Sequence, residues 1–306
     1  MNGWSLFGRG RCGSFAAIPL PLMITGNRSK LPGMGIAERR HGKILEALEN
    51  HQLLSVEEAM RATGASAATI RRDFDYLARE NIVQRIRGGA KLLRSQLMVP
   101  FVVREVHMEE QKRQIAQKVA MLLQPGDVVI IDGGTTTAQL AKYLPDVPLC
   151  IVTNSLRLAS LLDQQTHRHA TLEVLVTGGQ LYPSVGILLG SAVIASLAKY
   201  HAKWAFISVV GVTTDGVYNN NESVVEVQQQ MLASAEHTVV LADHTKIGRR
   251  ALCRVCDLQA IDLATDADPK TDAAVRHIAQ AVRSFISVTA GSTPRRPSRE
   301  PLHDQG

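Results

Sequence analysis

The sequence predicts an α/β protein in two parts: a winged helix-turn-helix over residues 34–93, then a mostly parallel α/β domain over residues 105–288. Three observations predict it. Between Val128 and Phe285, short apolar runs alternate with helical stretches, the pattern of a sheet covered on both faces. Upstream, two short helical patterns meet at a Gly-containing turn and lead into a segment with a double glycine and three basic residues. Charge divides along the same line. Residues 1–36 hold four Lys/Arg and no acids, residues 37–94 eleven basic against eight acidic, and the remainder sums to −1 within a net charge of +6. Positive charge thus gathers in the N-terminal third, where an anionic polymer would bind, ahead of a near-neutral body.

The head reads in order. Ala37–Asn50 is helical, with Ile44, Leu45 and Leu48 on one face. Ser55 opens SVEE, a capping box in which its hydroxyl serves the first turn while Glu58 reaches back. Val56, Ala59 and Met60 give this second helix its inner face and Gly64 ends it. Ser66 caps the third helix. There Ile70, Phe74 and Leu77 form the apolar stripe, while Ala68, Thr69 and Arg72 face away with Arg71 on their flank. Small residues let that face approach a groove, and the arginines can fork onto phosphates or guanine edges. Ile82–Leu93 alternates as a hairpin, with Gly88 and Gly89 at its tip and Arg85, Arg87 and Lys91 beside it. Such a basic wing can lie along a nucleic-acid backbone.

Residues 94–104, broken by Pro100, read as a linker, and Glu105–Leu123 as one amphipathic helix. The body follows as strand and helix in turn. Val128–Asp132 leads into a helix to Leu144, Cys150–Asn154 into a helix to Leu162, and Leu172–Gly179 into a Gly loop. A helix over Ser191–Tyr200 precedes the strand Trp204–Gly211, and a helix over Glu222–Ala235 precedes Thr238–Asp243. Leu263–Thr265 and a helix over Ala273–Phe285 close the domain. Residues 1–33 and 289–306 read as disordered extensions.

Several function classes are disfavoured. Four cysteines are too sparse for a disulfide scaffold and suit a reducing cytoplasm. The Cys253-x-x-Cys256 pair has no second pair to complete a zinc site, so no metal or other cofactor is expected. No apolar run reaches the ~20 residues of a membrane span.

In open α/β sheets, ligands sit beyond the carboxyl ends of the strands. Four such ends carry small polar residues here: Asp132 with Gly133, Gly134, Thr135, Thr136 and Thr137; Thr153 with Asn154 and Ser155; Gly178 with Gly179; and Asp243 with Lys246. Glycines admit a close backbone, hydroxyls and helix N-terminal amides hold phosphate oxygens, and Lys246 adds charge. Asp132, Asn154 and Asp243 suit sugar hydroxyls. The set points to a sugar phosphate.

The runs ERRHGKIL, TIRRDFDYL and QRIRGGA resemble the winged domain of DeoR-type bacterial transcription regulators, whose pattern is T-I-R-R-D-L followed by R-x-H-G-G-A. Phe74 stands where leucine is usual and Arg87 where histidine is usual, which makes the wing tip more cationic. QKRQIA, IDGGTTT, VTNS, VTGG and LADHTKIG resemble the same family's effector domain. The resemblance implies a body similar in fold to ribose-5-phosphate isomerase that senses phosphorylated sugars. EVQQQM departs from it: a basic residue is common in the family where Gln228 or Gln229 stands. The implied function is a cytoplasmic, non-enzymatic DNA-binding repressor released by a sugar phosphate, assembled as a homo-oligomer (dimer or tetramer) on repeated half-sites of a double-stranded operator. The expected DNA contacts are Ser66, Ala68, Thr69, Arg71, Arg72, Arg85, Arg87, Gly88, Gly89 and Lys91. The alternative is an isomerase-like enzyme carrying a DNA-binding domain. Against it, the isomerase's D-G-A-D and K-G-G-G runs are not seen, and TTDGVYNNN has one acid where the former has two.

Overall fold

The computed structural model describes residues 36–51, 53–79, 82–93, 101–164, 171–183 and 185–288. The expected extensions 1–33 and 289–306, and residues 94–100 of the expected linker, lie outside these. Among the described residues, no helix is long and apolar enough to cross a membrane.

The head comprises α1 (Ile36–His51), β1 (Leu53–Ser55), α2 (Val56–Thr63), α3 (Ala67–Arg79), β2 (Val83–Ile86) and β3 (Gly89–Leu92). The capping box forms as expected: Ser55 Oγ accepts from Glu58 N (3.2 Å), and Glu58 Oε2 accepts from Ser55 N (2.8 Å). Gly64 ends α2 in the left-handed region at φ 73°. Ile70, Phe74 and Leu77 of α3 are fully buried with Ile44 and Leu48 of α1. Burial of such side chains is worth roughly 1.5–3 kcal/mol each, which fixes the α3 stripe inward and its arginines outward. The three strands pair antiparallel in the order β1-β3-β2.

The winged segment and the α/β body fall in one compact unit. The body begins with α4 (Phe101–Val106), α5 (Glu109–Ala120), β4 (Asp127–Ile131), α6 (Thr135–Ala138), β5 (Leu149–Thr153), α7 (Leu156–Asp163) and β6 (Leu172–Val176). It continues with β7 (Gln180–Tyr182), β8 (Ile187–Leu189), α8 (Ser191–Leu197), β9 (Ala202–Ser208), β10 (Gly211–Thr213), β11 (Gly216–Asn219), α9 (Glu222–Ala233) and β12 (Ala235–Leu241). Last come β13 (Cys253–Cys256), β14 (Asp262–Thr265), α10 (Ala273–Ala281) and β15 (Ser284–Ser287).

Seven strands pair in parallel in the order β15-β14-β12-β9-β4-β5-β6, so the expected parallel α/β body is present. Successive residues of a strand face opposite sides, and the core follows that rule. Val129, Ile131, Trp204 and Phe206 pack with Ile115 of α5 and Leu158 of α7. Ile130, Ala205 and Ile207 pack with Val193 of α8, Met231 of α9 and Ile278 of α10.

Four expectations are corrected. The end of the expected linker is helical, as α4. The single helix over 105–123 is two helices, broken where Met108 takes φ 52°. The helix over 273–285 stops at Ala281, and Ser284–Ser287 instead pairs with β14 as the edge strand β15. The wing tip is Arg87–Gly88, with Gly88 at φ 79°; Gly89 already belongs to β3 and is buried. The antiparallel hairpin β7-β8 and the three-stranded sheet β10-β11-β13 were not expected from the sequence.

Candidate functional site

On the head, Ser66 Oγ accepts from Thr69 N (3.3 Å) and lies 3.0 Å from Thr69 Oγ1, fixing the start of α3. Ala68, Arg71 and Arg72 are exposed on α3, and Arg85, Arg87, Gly88 and Lys91 on the wing. Arg85 is partly engaged, 3.2 Å from Asp75 and 5.5 Å over the Phe74 ring. Gly89 lies against the Leu54 carbonyl, where a side chain would collide. It sets the approach of β3 to β1 rather than offering surface.

No local sequence pattern marks what aims α3. Asp73, buried on its inner side, accepts from Arg40 Nη2 (2.8 Å) and lies 2.8 Å from His41 Nε2. His41 also stacks on Tyr76 with ring centroids 4.9 Å apart. The first of the three winged-domain runs that carry the resemblance thus grips the aspartate of the second.

In the body, the chain runs from β4 out to β6 and returns on the other side of β4 as β9. This reversal opens a crevice between the ends of β4 and β9. Asp132 sits at its floor. Its carboxylate accepts from Gly133 N (2.7 Å), Ser208 N (3.3 Å) and Gln228 Nε2 (2.9 Å). Gln228, fully buried on α9, also donates to Ser208 O (2.8 Å) and accepts from Asn219 Nδ2 (3.2 Å). Burial pushes the Asp132 carboxyl above the usual carboxylate range, against the pull of these donors and of Arg104. A side chain at Gly133 would run into Ile187, and one at Gly134 into Ser208. The crevice, open to solvent, is bordered by Asp132, Gly133, Gly134, Ser208, Asn219 and Arg104.

A second cavity adjoins it, sharing Arg104 and Ser208–Val210. Thr135, Thr136, Lys112, His107 and Lys246 line its body side, and Leu45, Leu92 and Leu93 its winged side. Burial pushes the Arg104 guanidinium down to about 10, against Asp132 and with Arg157 adding to the push; it is charged at neutral pH. Burial also raises the Asp243 carboxyl, but Lys246, Lys112, the Thr245 hydroxyl and His107 outweigh it and hold the group below its ordinary value.

The structure therefore brings together Asp132, Gly133, Gly134, Thr135, Thr136 and Lys246 of the expected set. The others line neither cavity and hold the strand ends and turns behind them. Thr137 Oγ1 donates to Asp132 O (2.7 Å), and Thr153 Oγ1 to Ile131 O (2.7 Å). Asn154 Nδ2 donates to Leu188 O (3.0 Å), and Ser155 Oγ accepts from Leu158 N to cap α7 (3.2 Å). Gly178 and Gly179 turn the chain from β6 into β7. Asp243 caps the short helical turn His244–Lys246. Arg104, His107, Ser208 and Asn219 were not expected at the site, and Gln228 was marked only as one of two glutamines that depart from the family pattern. Arg104 falls in the stretch expected to be linker, and His107, Ser208 and Asn219 carry no local motif. Cys253 and Cys256 lie on β13, where burial, with Asp257, pushes the Cys256 thiol up to about 12 and keeps it protonated. Among the described residues, no group of three or more His, Cys, Asp or Glu is placed to hold a metal ion.

Comparison with known proteins bears on both halves. The family model described as "DeoR-like helix-turn-helix domain" matches residues 40–96, and that described as "DeoR C terminal sensor domain" matches residues 107–267. The chain is similar to the HTH-type transcriptional repressor GlcR of Bacillus subtilis (strain 168), 34% identical over 227 residues, covering 74% of this chain and 86% of the relative. It is similar to the glycerol-3-phosphate regulon repressor of Escherichia coli (strain K12), 30% identical over 234 residues, covering 76% and 91%. Among solved structures, ribose 5-phosphate isomerase A from Methanocaldococcus jannaschii aligns at a TM-score of 0.34 and 16% identity, over 45% of this chain and 54% of that one, too loosely to carry an argument.

Proposed function

The chain belongs to the DeoR family of transcription regulators, and on that footing we propose that it is a repressor of sugar-metabolism genes, released from its operator by a phosphorylated sugar. Family membership makes it a DNA-binding regulator rather than an enzyme. The effector reading rests chiefly on one observation: the crevice at the strand reversal adjoins, across Arg104 and Ser208–Val210, a cavity lined by Arg104, Lys112, Lys246, Thr135 and Thr136. Hydroxyls and amides suit the sugar end, and cations the phosphate. The name of the E. coli relative, which carries a phosphorylated polyol, supports the same class.

In this reading Ser66, Ala68, Thr69, Arg71 and Arg72 meet the major groove, and Arg85, Arg87, Gly88 and Lys91 the flanking backbone. Asp132, Gly133, Gly134, Thr135, Thr136 and Lys246 meet the effector. One α3 reaches one half-site, which favours a dimer or tetramer acting in the cytoplasm. The test is binding of the full chain to DNA from upstream of its own gene, followed by fluorescence anisotropy and titrated with a panel of sugar phosphates. At least one should weaken binding by about 5–150-fold, and Lys246→Ala should abolish that response. Indifference to the whole panel would overturn the effector reading.

A further inference from the structure

We propose that Arg104 is the residue through which an anionic effector moves the winged domain: it contacts the effector's phosphate where the two cavities meet, on a helix wedged against α1. The inference rests on the sugar-phosphate reading above and assigns the step from binding to DNA release.

Three observations place Arg104 at that step. It borders the crevice beside Asp132 and Gly134, and also the cavity beside Thr135, Lys112 and Lys246. A ligand spanning the two passes it. Next, α4 is held at both ends. Phe101, buried, lies under the Arg157 guanidinium at 4.8 Å, which seats the start of α4 on the body. Val106, at its other end, meets α1 so closely that a Cβ on Gly42 would stand 2.5 Å from Val106 Cγ2. The Lys112 ammonium donates to the Arg104 carbonyl, tying α4 to α5. Finally, the cavity's far wall is the winged domain itself, through Leu45 of α1 and Leu92 of β3. An occupant there touches both domains at once.

The chemistry suits the role. A guanidinium offers a planar fork that matches two phosphate oxygens, which an ammonium cannot do. Half-buried, it gains more from an arriving anion than a fully exposed arginine would. A shift of the Arg104 side chain toward phosphate displaces α4, and the contact at Gly42 leaves α1 no slack to stay behind. Because α1 grips Asp73 of α3 through Arg40 and His41, the displacement reaches the reading helix.

The experiment uses the full chain and four probes: glucose 6-phosphate, ribose 5-phosphate, glycerol 3-phosphate and inorganic phosphate. Calorimetry gives probe affinity without DNA, and anisotropy gives operator affinity with and without saturating probe. Arg104→Gln should lose about tenfold or more in affinity for the probe that wild type binds best, together with the operator response. Arg104→Lys should recover part of the affinity, and it carries the test should the glutamine variant fail to melt cooperatively. Val106→Ala, which loosens the contact at Gly42, should bind the probe within about twofold of wild type yet lose most of the operator response. Wild-type probe affinity in Arg104→Gln overturns the proposal, as does a full operator response in Val106→Ala. A wild-type chain that binds none of the probes fails at an earlier point: it refutes the sugar-phosphate reading, and this proposal with it.

Discussion

At the scale of single residues, Gln228 and Asp73 do the most positioning, and neither touches solvent appreciably. Gln228 joins α9 to the crevice floor by two donated bonds and one accepted bond. Gln228→Leu keeps the volume but strands Asp132, Ser208 O and Asn219, and should cost about 1–3 kcal/mol in urea unfolding. Gln228→Lys keeps a donor to the same carboxylate and should cost less; equal losses would show that shape rather than pairing matters there. Asp73→Ala leaves Arg40 and His41 facing an empty site. It should destabilise the chain by about 3 kcal/mol and weaken operator binding even where the protein remains folded. The sequence marked EVQQQM as a departure but left open which glutamine mattered. The choice depends on a contact between residues 96 positions apart, which no local pattern encodes.

At the scale of elements, the reading helix and the wing behave as separable parts. Arg72 is exposed on α3 with its apolar neighbours buried behind it. Arg72→Ala should leave stability within about 0.5 kcal/mol and lower operator affinity by about 1–3 kcal/mol, read by anisotropy at moderate salt. Unchanged affinity would remove α3 from the interface. Most elements were legible because hydrophobic period and capping chemistry agree: Ser55, Gly64 and Ser66 punctuate the head, and the apolar runs of β4, β5, β9 and β12 stand between polar loops. Those that were not legible have physical reasons. Met108 breaks a helix in a left-handed conformation that no glycine announces. The run Ser284–Ser287 is too short to distinguish from a continuing helix until its partner β14 is known. The strands β7, β8, β10 and β11 have three or four residues each, below the length at which alternation is readable.

At the scale of the molecule, charge placement and topology point the same way. A basic head and a strand reversal lined with glycine, hydroxyl and cationic groups meet at α4, which packs against α1. Asp132, Gly133, Gly134, Thr135, Thr136 and Lys246 were visible as strand-end motifs, whereas Arg104, His107 and Ser208 were not. The cavity that completes it lies between the head and the body, so it exists only once both have folded and packed. If effector and operator are linked through that cavity, the coupling must be reciprocal. The most direct measurement is calorimetric titration of the best-binding sugar phosphate into the free chain and into the chain saturated with operator. The account predicts weaker binding to the complex, by the same factor by which the sugar phosphate weakens operator affinity. Equal affinity in the two titrations would contradict it.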